Sequence, residues 1–208
     1  RLGNTGRNFS VGGTVTSGEQ NTDSQLDALT EYFSTGETDA LDQLQYTLSN
    51  DLRLDGQFSY TEPLKKRRFL EFSYNFNTLN ADYVHDVYDV ENGNQVINDT
   101  LSNFYTSVFQ YHRPGVSFRY SGEVNTVNAG LQYQMSELTG ELSRNETDIR
   151  QTYNHLLPKF MWRSDLGNGK NLRFSYNTKI TQPTITQLSP VLDNADPLRL
   201  YIGDPNLD

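Results

Sequence analysis

The chain has 208 residues, 35% hydrophobic and 12% aromatic, with 13 Tyr, 11 Phe, no Cys and a formal net charge of −9. The charge argues against a nucleic-acid binder, and the missing Cys removes disulfide frameworks, thiol catalysis and zinc–thiolate clusters. No run approaches the about 18 apolar residues of a membrane-crossing helix, but barrel strands leave only a weak hydropathy signal, and many aromatics with few aliphatics suit a barrel wall with interfacial girdles.

The N-terminal RLGNTGRN has no apolar h-region, so no signal peptide is read there. Arg7 to Ser17 alternates Phe9, Val11, Gly13 and Val15 against Asn8, Ser10, Gly12 and Thr14, which predicts a first strand. Gly18 to Ala40 is acidic and without a strong period; it reads as a long loop, with room for a helical turn near Leu26 to Phe33. Leu44 to Tyr60 is the most regular stretch. Its even positions are almost all apolar or aromatic and its odd positions all polar or charged. These 17 residues would reach roughly 55 Å as a strand, whereas soluble strands run about 5–6 residues and a barrel crossing needs about 9–11.

A short connection, Thr61 to Arg67, holds Pro63 and most of the run Lys65-Lys66-Arg67-Arg68. Phe69 to Thr78 then sets Leu70, Phe72, Tyr74 and Phe76 against Glu71, Ser73, Asn75 and Asn77. The alternation weakens through Asp82 to Val90 before a turn at Glu91-Asn92-Gly93-Asn94. Asn103 to Tyr120 returns with Val116, Phe118 and Tyr120 in phase, and Pro114-Gly115 predicts a bulge or irregular point inside it. After a turn at Ser121 to Glu123, Val127, Ala129, Leu131, Tyr133 and Met135 mark another strand. Glu141 to Thr152 reads as a polar loop. Leu156 to Ser164 is a strand with Trp162 in phase with Phe160, and Asp165 to Lys170 is a tight turn. Leu172, Phe174, Tyr176, Thr178 and Ile180 form the last clear strand, and the tail from Thr181 is rich in Pro and Asp.

Long loops (18–40, about 79–102, 141–153, 181–200) thus alternate with short ones (61–68, 121–126, 165–171). Outer-membrane barrels have short periplasmic turns and long extracellular loops. The fold class is therefore all-β: an antiparallel up-and-down transmembrane barrel, with seven full strands and the start of an eighth near Leu198. Bacterial single-chain barrels have an even number of strands and must close, so residues 1–208 are expected to be part of a larger barrel, without a plug domain.

A midplane Lys or Arg on the lipid side costs about 2–4 kcal/mol. Asp51, Arg53, Asp55, Glu71, Arg119, Lys159, Arg163, Arg173 and Lys179 are therefore expected to face the lumen. Tyr46, Tyr60, Tyr74, Tyr120, Tyr133, Trp162 and Tyr176 are candidates for the interfacial girdles. Lys65 to Arg68 suit anionic headgroups at the periplasmic face or an ordinary solvated turn, and both readings stay open. His85, His112 and His155 lack ligand spacing, and no nucleophile or phosphate-loop motif occurs. No catalytic, metal-binding or cofactor-binding residue is expected, and no enzyme activity. Asp82, Asp86, Asp89, Glu91 and Asp99 do not match a calcium loop and read as a solvated outer loop.

The tail carries Ile180-Thr181-Gln182-Pro183, Gln187-Leu188-Ser189-Pro190, Asp193-Asn194-Ala195-Asp196-Pro197-Leu198 and Gly203-Asp204-Pro205-Asn206-Leu207. Together these resemble a pattern of TonB-dependent-receptor-like outer-membrane barrels of the Bacteroidetes type, P-x-x-x-Q-L followed by D-P-L and G-N-P-x-L. Asp204 stands where that pattern usually has Asn. Leu131-Gln132-Tyr133 and Asn154-His155-Leu156-Leu157-Pro158 look like the same family. The resemblance covers Tyr105 to Leu207 well and the N-terminal part only by pattern. It implies a receptor in the bacterial outer membrane with a large barrel, an N-terminal plug and energy supplied through TonB, for uptake or surface binding of a nutrient. The implied partners are outer-membrane lipid, the rest of the barrel, the plug, TonB and, as a further candidate, a surface lipoprotein. A structural or adhesive barrel subunit without transport is the alternative.

Overall fold

The computed structural model describes residues 6–64, 66–91, 93–142, 147–181, 187 and 201–204. Among the described residues eight strands follow one another: β1 (Asn8–Tyr32), β2 (Glu37–Leu64), β3 (Arg68–Glu91), β4 (Asn94–Ile97), β5 (Asn103–Ser121), β6 (Asn125–Leu142), β7 (Thr147–Gly167) and β8 (Lys170–Asn177). All pairings are antiparallel between sequence neighbours, except that β5 passes the short β4 and joins β3. The wall order is β1-β2-β3-β5-β6-β7-β8, the meander expected from the alternating pattern. The strand start near Leu198 lies outside the described residues.

Three expected long loops are mostly strand. β1 and β2 stay paired from Asn8↔Thr61 to Tyr32↔Glu37, so Gly18 to Ala40 is the far part of a hairpin and Leu26 to Tyr32 is extended, not helical. The turn closes with the Thr35 and Gly36 amides donating to the Tyr32 carbonyl at 3.1 and 2.7 Å, Gly36 taking a φ of 70°. β3 runs on to Glu91, so Asp82, Asp86 and Asp89 stand on a strand. β6 and β7 extend to Leu142 and from Thr147. An existing ladder lengthens without an apolar period, because each added pair satisfies backbone groups on both chains. The end-to-end asymmetry therefore survives as strand overhang. β2, at 28 residues, spans roughly 90 Å.

At Pro114-Gly115, where a bulge or irregular point is expected, the ladder to β6 is interrupted at Arg113 and Pro114, but no residue is added. Ser73↔Gly115, Tyr74↔Pro114 and Asn75↔Arg113 follow without a shift, and His112↔Met135 and Gly115↔Gln132 keep one offset toward β6. Proline has no N–H to donate, so it thins the ladder without adding a residue. The register shift lies instead between Asp165 and Gly167.

Burial alternates between the two faces. On β6, Gln134, Ser136 and Leu138 are buried while Leu131, Tyr133 and Met135 are exposed. A curled sheet shields its inner side, so the first set lies on the concave face and the second on the convex face. The apolar core sits on the concave side of the overhang. There Tyr105, Phe109, Leu138 and Ile149 pack together, with Leu79, Tyr83 and Tyr111 against them.

Candidate functional site

Paired residues of antiparallel strands point to the same face, so the register can be followed across the wall. The convex row nearest the short turns is Leu64, Arg68, Tyr120, Val127, Trp162 and Phe174. Above it, each strand carries a convex apolar run: Phe9 to Val15, Leu52 to Tyr60, Leu70 to Phe76, Pro114 to Tyr120, Val127 to Met135, Leu156 to Trp162 and Leu172 to Tyr176. Among the described residues, no Asp, Glu, Lys or Arg occupies the convex side within these runs. Glu62 and Arg68 stand just beyond their edges.

The runs slide along the strands. The middle of the β1 run, between Val11 and Gly13, follows the ladder to Leu156 and Asn154 on β7. The middle of the β8 run, Phe174, pairs instead with Trp162, nearer the short turns. A slide of about seven residues, roughly 24 Å, across six spacings of about 4.8 Å corresponds to strands tilted about 40° from the axis of the band, within the range of closed barrels. Five alternating residues, as in the β2 and β6 runs, give at that tilt a band about 21 Å tall, near the about 25 Å of outer-membrane barrels.

The aromatic residues divide between the edges of this band. Tyr60, Tyr120 and Trp162 end their runs on the short-turn side, whereas Tyr74, Tyr133 and Tyr176 stand at or one step inside the opposite edge. Their polar tips find partners: Trp162 Nε1 donates to Asn125 Oδ1 at 3.1 Å, and the Tyr133 hydroxyl donates to Asn154 Oδ1 at 3.2 Å. The Tyr74 hydroxyl meets His112 Nδ1 at 2.6 Å, and the Tyr60 hydroxyl donates to Glu62. Tyr46 stands apart from both edges. It pairs with Asp23 and Asp86 in the overhang, beyond Asn50 and Asp82, with its ring edge-on to Tyr88 at 5.7 Å.

Asp51, Arg53, Asp55, Glu71, Arg119, Lys159, Arg163 and Arg173 all share the concave face. Lys179 lies past the end of β8, where no ladder partner sets its face. Arg113, missed in the sequence because it neighbours the Pro114 irregularity, joins the concave face. Its Nε donates to Gln134 Oε1 at 3.0 Å, and its guanidinium carbon lies 4.5 Å from the Tyr111 ring centroid. Toward the short turns, a cavity of about 290 Å³ is lined by Ser59, Glu71, Ser73, Asn75, Gln132 and Lys159. Two glycines allow long side chains to lie flat beside it. A Cβ at Gly115 would come within 2.7 Å of Gln132 Cγ, and one at Gly130 within 2.9 Å of Ser117 Cβ.

Beyond the band the polarity of the faces inverts between β3 and β7. Leu79, Tyr83, Tyr105, Phe109, Leu138 and Ile149 are concave, whereas Asn80, Asp82, Gln110, Glu137 and Thr152 are convex. This inversion explains why the period weakened in the sequence near Asp82. The shift of apolar residues from Val116, Phe118 and Tyr120 to Tyr105, Phe109 and Tyr111 along one strand was the signal available.

At the short-turn end, Arg7 Nε lies 2.9 Å from Glu62 Oε2. Hydrogen bonds from Tyr60 and then Arg7 hold the Glu62 carboxyl below its ordinary pKa. Lys66 and Arg67 both take left-handed backbone conformations, with φ of 62° and 61°. Arg67 Nη2 donates to Glu123 Oε1 at 2.8 Å, and its carbonyl accepts from the Ser121 amide at 3.0 Å, which ties two adjacent turns together. Lys65 lies outside the described residues. So does most of the tail pattern; of its remainder, the Asp204 amide donates to the Gln187 carbonyl at 2.8 Å. The histidines stay apart: His85 Nδ1 meets Thr47 Oγ1 at 2.9 Å, and His155 stacks on Tyr153. Among the described residues no cluster of His, Asp and Glu could hold a metal.

No curated protein matches the chain. A solved structure that resembles it is the ferric citrate transporter FecA in its unliganded form, with a TM-score of 0.48 and 13% identity over 80% of this chain. The match covers 26% of the transporter chain, so this chain spans about a quarter of its length. The family model for outer membrane β-barrel proteins matches residues 1–208. With an uncharged convex band, tilted antiparallel strands and a polar concave face at the same level, the chain belongs to the outer membrane protein β-barrel family and lies in the outer membrane.

Proposed function

We propose that the chain is a stretch of wall from a TonB-dependent-receptor-like barrel that takes up a nutrient, or binds one, at the cell surface. The observation that carries this reading is the pairing of two opposite surfaces at one depth. The convex band is free of charge across seven strands, while the concave face behind it holds Asp55, Glu71, Arg113, Arg119 and Lys159. A lipid-facing exterior with a polar interior is the organisation of barrels that enclose a channel or a plugged lumen. Tyr60, Tyr120 and Trp162 would then mark the periplasmic interface, and Tyr74, Tyr133 and Tyr176 the outer one.

Among the described residues β1 pairs only with β2, and β8 only with β7. Open edges cannot face lipid, so further strands must complete the wall. A plug, TonB and a nutrient ligand rest on the resemblance of the tail. The concave charges would bind and pass a ligand or pair with the plug, without catalysis.

The test is the intact denatured mass of the native protein, extracted from outer membranes in detergent. A mass several times 23.8 kDa is expected, and a mass near that of this chain would overturn the reading. In-cell photocrosslinking to TonB separates the two uses of such a barrel. An adduct supports transport; its absence favours the structural or adhesive role, for which the projecting β1–β2 hairpin is suited.

A further inference from the structure

Between β3 and β7 the overhang follows the rule for a sheet in water, apolar inside and polar outside. The β2–β3 part, with β4 and the start of β5, breaks that rule. There the concave residues Gln43 and Gln45 are polar and buried, while the convex side carries an apolar patch. Leu48, Val84 and Phe104 form one row, Leu44, Tyr88 and Ile97 another, and Tyr46 lies between them. Tyr46, Phe104 and Ile97 are 36–41% exposed. The patch is separated from the membrane band by Asn50 and Asp82. If the lipid reached from Tyr60 to Leu44, the band would be about 40 Å tall even at a 40° tilt, well over the about 25 Å of such barrels. The patch is therefore not covered by the bilayer.

Its surroundings are of one sign. Glu19, Asp23, Asp42, Asp82 and Asp86 lie on the same convex face around it. The sequence holds no Lys or Arg between Arg7 and Arg53, nor between Arg68 and Arg113. From the Asp42 row to the Asn50 row and from β1 to β5 the surface with its acidic rim measures about 27 Å by 14 Å, roughly 390 Å², about half of the about 800 Å² that one partner contributes to a standard interface, which places it with small, transient contacts. An aromatic centre with a charged rim is the anatomy of a protein-binding surface, and a rim of one sign selects its opposite.

We propose that the convex patch centred on Tyr46 and Tyr88 docks a protein outside the cell that presents an apolar surface ringed by Lys and Arg. Anionic lipopolysaccharide meets a repulsive rim here and is the disfavoured occupant. The inference rests on the outer-membrane placement and on the outward direction of the overhang proposed above, not on transport.

The test uses the full protein in zwitterionic nanodiscs, with empty nanodiscs subtracted. The probes are three peptides of about 14 residues: an amphipathic Lys/Leu peptide, its Glu/Leu counterpart and an all-Lys peptide. The Lys/Leu peptide is expected to bind at least about tenfold more tightly to the wild type than to Tyr46→Ser/Tyr88→Ser, and to weaken as salt rises. The variant Asp23→Asn/Asp86→Asn, which removes charge but keeps the apolar patch, is expected to lose the salt-dependent part alone. Equal binding of the Lys/Leu peptide to wild type and both variants overturns the proposal. So does equal binding of the Glu/Leu peptide, or an all-Lys peptide that matches Lys/Leu. Tighter binding of lipopolysaccharide vesicles than of the Lys/Leu peptide also overturns it.

Discussion

The Arg113 guanidinium stands over the Tyr111 ring, 4.5 Å from its centroid, at the level where the concave face changes from polar to aromatic. The same side chain donates to Gln134, which is 3% exposed. Removal of the arginine would leave a buried amide oxygen short of a donor, at a cost of about 1–3 kcal/mol. Arg113→Met should therefore lower the denaturant midpoint of the refolded protein. Arg113→Lys should recover only part of it, because an ammonium lacks the planar fork that stacks and donates together. Equal stability of all three proteins would remove this contact from the account.

Phe58 and Gln57 are neighbours in sequence but lie on opposite faces. Phe58→Arg places a cation in the convex band and should cost about 2–4 kcal/mol in unfolding from lipid vesicles. Gln57→Arg, on the concave face, should change stability by less than about 0.5 kcal/mol. The reverse order would exchange inside and outside.

Gly130 lets Lys159 and Ser117 lie across it. Gly130→Ala should destabilise by about 1–3 kcal/mol, the usual cost of overpacking. Ser117→Gly should relieve part of that cost, since Ser117 Cβ is the rigid neighbour at 2.9 Å. A double-mutant cycle with a coupling near zero would place the strain elsewhere.

Glu62 titrates below its ordinary range because Tyr60 and Arg7 hydrogen-bond its ionised form. A depressed folded-state pKa contributes stability above the unfolded value of about 4.3 and loses it as pH falls through the folded value. The stability gap between wild type and Glu62→Gln should therefore be constant near neutrality and close progressively below about pH 4.3. A gap that widened toward acid would reverse the sign of this linkage. Arg7 is exposed and Glu62 half-buried, so added salt should narrow the gap at neutral pH.

Trp162 is the sole tryptophan of these 208 residues. Its emission, taken as the difference between wild type and Trp162→Phe, should be quenched most by lipids brominated near the headgroup. Strongest quenching by bromines near the chain ends would move Trp162 to the bilayer centre.

The strands inside the membrane band were legible residue by residue. Phe69 to Thr78 alternates because each side chain there meets either lipid or the interior, and that choice is written locally with a period of two. The shared face of Asp51, Arg53, Asp55 and Glu71 follows from the same period. Other features depended on neighbours distant in sequence. Gly18 to Ala40 looked like a loop because both of its faces meet water, and only pairing between β1 and β2 makes it strand. Leu79, Tyr83 and Phe109 turn inward because the curled wall buries its inner face where the band has ended. Tyr46 continues the phase of Tyr60, but the register sets it beside Asp23 and Asp86, outside the band. Sequence alone determined which residues share a face, because side-chain alternation is a property of one strand. Tertiary structure decided where along each strand that face meets lipid, water or a core, because strand offset and sheet curl are properties of the assembled wall.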